Sequence, residues 1–350
     1  MWVDAAVIGI KLVAVVGVLL MTVPIMVWVE RRGSALIQDR LGPNRVGPAG
    51  LLQPFVDAIK LLIKENLIPA GVDKLLFVLA PTIALVVALS LFIAVPFAVD
   101  DGLELVETPI DGFIVAPDLN IGILYIFAIA SLAVYSIVLA GWGSNNKYAL
   151  LGGIRASAQT ISYRLAMTLS VVGVIMAAGS LHLTQVVTSQ SGVWLGFLPR
   201  WNFLIQPLGG IIFIVAAFAE TNRLPFDLAE ADSELVAGYH TEYSSMNFAA
   251  FFMSKYIHMV TSAALITVLF FGGWQIPWIS LPGGWMGAGL SLGVFSAKVV
   301  FFLWLFVWVR WTLPRFRFDQ LMALGWKIML PLAVLNFLWV GVAMASGILT

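Results

Sequence analysis

The chain has 350 residues, of which 61% are hydrophobic and only 11% charged, and its 19 basic and 19 acidic side chains cancel. Soluble domains are roughly half apolar and about a quarter charged, so this balance suits lipid and not water. With no cysteine and three scattered histidines, the chain can carry no disulfide or thiolate-held iron–sulfur cluster, and no haem or metal centre is expected.

A spanning helix needs about 20 mostly apolar residues. Eight such runs occur in chain order, over 5–29, 75–99, 120–142, 155–180, 204–220, 246–272, 288–310 and 326–347. The first begins with an acid in place of a basic segment and is longer than the apolar core of a cleaved leader, so it reads as a retained helix. The connection after it contains LLQPFVDAIKLLIKE, where Gln53, Asp57, Lys60 and Lys64 recur at spacings of 4, 3 and 4. That stripe predicts an amphipathic helix, too short to span, lying on the membrane surface or under a partner. A plain surface anchor is the bland alternative. The 100–118 connection carries six acids and no base and reads as a solvated loop.

The connections after runs one, three, five and seven hold Arg31, Arg32, Arg40, Arg45, Lys60, Lys64, Lys74, Lys147, Arg155, Arg223, Arg310, Arg315, Arg317 and Lys327; the opposite side offers only Arg200. Positive-inside bias places those four connections in the cytoplasm, and the even count puts both termini outside. No repeat, low-complexity tract or soluble segment occurs. The fold class expected is therefore an all-α integral membrane protein, with eight transmembrane helices and an amphipathic surface helix in one unit over 1–350.

The third of these connections gathers Glu220, Asp227, Glu230, Asp232, Glu234 and Glu242 around a single base, Arg223. A solvated loop is the ordinary reading of an acidic run. Because this one starts at the very end of a span, some carboxylates are expected to be partly buried with raised pKa values, which suits proton handling. Arg164 and Lys255 also fall inside spans, where a charge is costly and faces the bundle interior. Arg164 shares a stripe with Ser157, Thr160 and Thr168, and Lys255 shares one with His258 and Ser262. Lys11, near the end of the first span, snorkels. No histidine spacing suits a metal, and GAGLSLG at 287–293 lies in an apolar run and reads as close helix packing.

Four long segments carry a family resemblance: ERRGSALIQDRLGPNRVGPAGLLQPFVDAIKLLIKE, GWGSNNKYALLGGIRASAQTISY, AETNRLPFDLAEADSELVAGYHTEYSSM and WVRWTLPRFRFDQLMALGWK. In this order they resemble the H-subunit (ND1) family, the quinone-site membrane component of proton-pumping NADH:quinone oxidoreductase, respiratory complex I. The resemblance implies a multi-pass protein of the bacterial inner membrane that is not catalytic alone. It also implies a chamber for ubiquinone or menaquinone, walled or entered at Glu30, Arg31, Arg40, Asp57, Lys60, Arg223, Asp227, Glu230, Asp232, Glu234 and Glu242. The implied partners are hydrophilic quinone-site subunits, small membrane subunits and the lipid bilayer, with NAD, FMN and iron–sulfur clusters held by partner subunits, no covalently bound cofactor, no metal and no nucleic acid. Lys298 matches a family lysine.

The chain departs from the family at two places. The segments matching ISYRLAM and FFMSKYIHM normally carry glutamates where this chain has Arg164 and Lys255. In the family those glutamates look like links of an acidic proton path. Arginine effectively never deprotonates, whereas a buried lysine can be driven toward neutrality. Arg164 is therefore expected to clamp a carboxylate such as Glu220. Lys255 either pairs likewise or relays as a neutral amine, giving a proton path through Glu220, Arg164 and Lys255 that is modified or lost. Charge pairing without functional consequence is the plainer alternative. A homologous complex fed by ferredoxin, deazaflavin or hydrogen is a second reading. A secondary transporter binding an anion at Arg164 and Lys255 is a third, although no inverted repeat is visible.

Overall fold

A computed structural model describes residues 2–98, 119–194, 196–228, 232–279 and 284–347. The acidic 100–118 connection lies outside the described residues, as does Glu230. The helices are α1 (Trp2–Ile37), α2 (Gln53–Ile63), α3 (Lys74–Phe92), α4 (Gly122–Gly143), α5 (Lys147–Ala178), α6 (Leu183–Ser189), α7 (Asn202–Ile205), α8 (Pro207–Glu220), α9 (Asp232–Leu235), α10 (Ser245–Phe270), α11 (Gly284–Thr312), α12 (Phe318–Ala323) and α13 (Leu330–Ala345). A wider π-turn, Leu324–Met329, joins the last two into one rod. The described strands are the two-residue pair Val193–Trp194 and Leu198–Pro199.

Among the described residues, seven helices are long and apolar enough to cross a membrane. The predicted fifth span is different: α8 has 14 residues, about 21 Å at 1.5 Å per residue, short of a hydrocarbon core of about 30 Å. The sequence offered a continuous apolar run, but Gln206 precedes Pro207 and is pushed to φ −136°, ψ 70°, which breaks the helix there. Exposed backbone at such a break must be satisfied inside the protein. Asn336 of α13 does this, its Oδ1 accepting from Gly209 N at 3.1 Å while its Nδ2 donates to Gln206 Oε1 at 3.1 Å.

Two other boundaries shift for identifiable reasons. The helix predicted to stop at residue 29 runs on to Ile37, because Glu30 is neutralised inside the bundle, as described below. The helix predicted from 155 starts eight residues earlier, at Lys147, since the Asn146 side chain caps it by accepting from Tyr148 N at 2.9 Å. Its other end stops at Gly179, whose φ of 67° is the left-handed C-terminal cap.

The bundle is built around α10, which packs on α1, α3, α8 and α11. In α10 78% of the spanning window is buried, against 22–44% in the other six spans; Lys255 on α10 accordingly lines cavities inside the protein. Close approach of α5 to the 238–240 turn depends on Gly152, where a Cβ would meet Gly238 Cα at 2.7 Å. The predicted amphipathic helix is α2, held to α1 by an ion pair between Arg31 and Asp57 at 2.6 Å.

At the opposite end of α10, Lys298 of α11 donates to the carbonyls of Phe271, Gly273 and Gln275 at 2.8, 2.9 and 2.7 Å. These carbonyls follow the last turn of α10, so the ammonium ties α11 to the end of the central helix. Hydrogen bonds to a charged group contribute about 1.5–3 kcal/mol each. Lys298→Met is expected to lower stability by about 2–4 kcal/mol, read as a lower melting temperature in detergent. Lys298→Arg should recover part of the loss.

Candidate functional site: two charged cavities sharing a wall

Glu30 is the centre of the first charged group. Its side chain is 5% exposed. Oε2 accepts from Arg223 Nη1 at 2.8 Å and from the Tyr256 hydroxyl at 2.6 Å, while Oε1 accepts from Arg310. Residues from α1, the 221–228 loop, α10 and α11 thus converge on one carboxylate. The Arg223 guanidinium also stacks over Tyr256, 4.4 Å from the ring centroid. Burial works against the charge on Arg223, but Glu30 and Tyr256 more than compensate and hold its pKa above the ordinary arginine value.

The loop bearing Arg223 and Asp227 is pinned from below by Gln159 of α5. Its Nε2 donates to Ala219 O at 2.9 Å, Asn222 Oδ1 at 3.2 Å and Phe226 O at 2.7 Å. A glutamine buried to 1% exposure supplies the donors that the turn of the loop would otherwise find in water.

Asp227 sits beside this cluster, 3.5 Å from Arg315. Burial raises its carboxyl above the ordinary value of 3.8, against the opposing pull of Lys255, Arg315, Arg310 and Arg223. The folded protein then holds this proton more tightly than the unfolded chain does. Stability from this group is greatest below the unfolded pKa and is lost as pH rises through the folded value. Asp227→Asn is expected to remove that loss, so melting temperatures measured from about pH 4 to pH 8 should fall less steeply in the variant than in the parent. Burial, with the nearby Asp227 charge, also raises the phenol of Tyr239.

Two cavities adjoin these groups. The outer one is lined by Arg223, Asp227, Lys255, Tyr256 and Arg310 together with aromatic side chains of α10. The inner one is lined by Arg164, Glu220, Lys255, His258 and Tyr239. Lys255, Asn222 and Phe251 belong to both and form the shared wall. Arg164 donates to Glu220, and each side chain is 13% exposed. Glu220 and His258 also line a third, mostly apolar cavity that continues along α10. Charged side chains therefore line both cavities as a series of neighbouring groups, with Lys255 common to the two.

Not every residue singled out from sequence joins the series. Glu30, Arg223, Asp227, Glu220, Arg164 and Lys255 do. Arg31 and Asp57 pair with each other at the α1–α2 contact, 44% and 33% exposed. Arg40 and Lys60 are exposed and line neither cavity. Glu234 pairs with Arg155 at the surface, 46% and 34% exposed, and Glu242 accepts from Asn146 Nδ2 at 2.6 Å, so both serve the start of α5. The side chain of Asp232, like Glu230, lies outside the described residues. Sequence reasoning did not assign Tyr256, Arg310, Gln159 and Asn222 to the site. The only prior signal was their place in matched or polar segments, since their partners are as many as 280 positions away, as for Arg310 and Glu30.

These features define a polytopic all-α membrane protein with a buried ionic series entering the bundle from its basic end. A family profile described as NADH dehydrogenase matches residues 10–341. The NADH-quinone oxidoreductase H subunit of Bdellovibrio bacteriovorus is 46% identical, covering 94% of this chain and 93% of that protein. The NADH-quinone oxidoreductase subunit 8 of Rhodothermus marinus is 45% identical over 95% of both. The H subunit of Leptospira biflexa is 48% identical, covering 92% of this chain and 90% of its own length. The chain belongs to this family of NADH-quinone oxidoreductase H subunits.

Proposed function

We propose that this chain is the membrane subunit of an NADH-quinone oxidoreductase that forms the membrane side of its quinone cavity and couples quinone reduction to proton movement by a modified path. The observation that carries the reading is Lys255, which stands in the wall common to the outer and inner cavities. The family membership supports the redox setting, and the relatives' names favour NADH over ferredoxin, deazaflavin or hydrogen as the electron source.

In this reading the partner subunits supply electrons from NADH through FMN and iron–sulfur clusters, and a quinone taking two electrons also takes two protons. The outer cavity receives the quinone head: its aromatic side chains pack the ring, and Arg223 and Arg310, fixed by Glu30, present positive charge to oxygens that become negative. Asp227, whose pKa is raised by burial, is the carboxyl suited to release a proton there. Its change of charge is felt by Lys255, the largest opposing charge acting on it. Lys255 passes the change to the inner cavity, where Arg164 is paired with Glu220. Arg164 is thus a fixed counter-charge in the path, and Lys255 is the group that moves. The basic connections face the cytoplasm of a bacterial inner membrane and both termini face the periplasm, with α7 and α8 crossing together.

The test replaces Arg164 and Lys255 by glutamate, singly and together, in the assembled complex reconstituted in vesicles. Protons moved per quinone reduced, and sensitivity to quinone-site inhibitors, are measured. A changed stoichiometry at either position supports the modified path. Unchanged stoichiometry and rate in all three variants would rule it out, and inhibitor-insensitive electron transfer would remove the quinone cavity from this chain.

A further inference from the structure

We infer that the surface helix α2 is a docking site for an anionic phospholipid, with the headgroup phosphate held at Lys60 and Lys64 and the acyl chains against Leu52, Val56, Ile59 and Ile63. The inference stands on this helix and does not rest on the quinone reading. The two sets of side chains follow one spacing. Leu52, Val56, Ile59 and Ile63 recur at 4, 3 and 4, and all four are exposed. Gln53, Asp57, Lys60 and Lys64 repeat the same spacing one position later, about 100° further round a helix of 3.6 residues per turn. An apolar stripe and a polar stripe thus lie side by side, the arrangement of a helix that rests at the boundary between acyl chains and headgroups.

The rest of the helix is tied to the protein, which holds the two stripes outward. Pro54 is buried, and the Ser245 hydroxyl at the start of α10 donates to the carbonyls of Leu61 and Lys64 at 3.0 and 2.8 Å. Asp57 accepts from Arg31 at 2.6 Å and from Gln53 at 3.1 Å, so the acid of the polar stripe is already met by a cation. Lys60 and Lys64 are exposed and make no ion pair among the described residues. Four residues apart, they are neighbours on one face and within reach of a single headgroup. Glu65 is exposed beside Lys64, beyond the last helical residue, and exposed Arg40 and Arg45 stand in the connection that leads into α2. The occupant follows from complementarity of both stripes. A soluble anion would leave Leu52, Val56, Ile59 and Ile63 in water, and a zwitterionic lipid would bring its own cation to the lysines. Lysine stems lie along apolar surface while their ammonium groups reach the phosphate level, and each base near an anionic surface strengthens attachment about fivefold.

The test uses the assembled complex in nanodiscs of phosphatidylcholine doped with a photoactivatable phosphatidylglycerol, the label being located by mass spectrometry of peptides. Label is expected in the 52–64 segment, displaced by unlabelled phosphatidylglycerol but not by added phosphatidylcholine or inorganic phosphate. Lys60→Gln with Lys64→Gln is expected to weaken the affinity read from this displacement about twenty-five-fold, fivefold for each base, whereas arginine at both positions should keep it. Ile59→Asn with Ile63→Asn should also weaken it, although both lysines remain. Absence of label from the segment would show that a partner subunit covers α2 and would overturn the proposal. Equal displacement by phosphatidylcholine would make the helix a plain apolar anchor, and displacement by inorganic phosphate would assign the lysines to a free anion; either overturns it. Unchanged affinity in the double glutamine variant would do the same. None of these readouts depends on quinone reduction.

Discussion

Replacing Glu30 by alanine is expected to cost about 3–5 kcal/mol, the range for removing one partner of a buried ion pair. The carboxylate is 5% exposed and holds Arg223, Arg310 and the Tyr256 hydroxyl at once. Its removal leaves two guanidinium groups facing each other without an acceptor, and releases α1 from the loop, α10 and α11 together. Glu30→Gln keeps one carbonyl oxygen as an acceptor and should cost less, about 1–3 kcal/mol. Unfolding of the purified protein in a mixed-detergent titration measures both. An alanine variant within about 1 kcal/mol of the parent would show that the converging hydrogen bonds do not hold these four elements. A triple change to apolar residues at Glu30, Arg223 and Arg310 should be less damaging than Glu30→Ala alone, because no uncompensated buried charge remains.

The second large effect is expected at Arg164. Arg164→Glu sets two carboxylates against each other in a site where each present partner is only 13% exposed, and a destabilisation of about 3–5 kcal/mol follows from breaking the pair. Protonation of one carboxylate relieves part of this, so the loss should be greater at neutral pH than at acid pH. The reciprocal exchange, Arg164→Glu with Glu220→Arg, restores opposite charges and should recover most of the stability. A double-mutant cycle on melting free energies gives the coupling directly. If the exchange is no better than Arg164→Glu alone, the pair is not the reason a cation occupies this position.

Some of this molecule follows from local pattern alone. Seven long spans were readable because a membrane helix is specified by composition over a short window and needs no knowledge of its neighbours. The surface helix α2 was readable because Gln53, Asp57, Lys60 and Lys64 mark one face at helical spacing. Even the Arg164 partner was within reach, since a charge inside a span demands a counter-charge and Glu220 ends the next apolar run. The other features were settled by the tertiary structure. Whether the 204–220 run is one helix depended on Asn336, 127 positions from Gly209, whose side chain makes a break at Gln206 tolerable. The acids of the third connection looked alike in sequence, yet Glu234 and Glu242 turn to Arg155 and Asn146 at the start of α5 while Asp227 turns inward. Glu30 was named only through the family resemblance, with no partner legible for it, and its partners Arg223 and Arg310 are brought to it from 193 and 280 residues away. Hydrophobic burial acts residue by residue and can be read along a chain. The partner of a buried charge is whichever group the fold brings within hydrogen-bonding distance, and that distance exists only after the helices have packed.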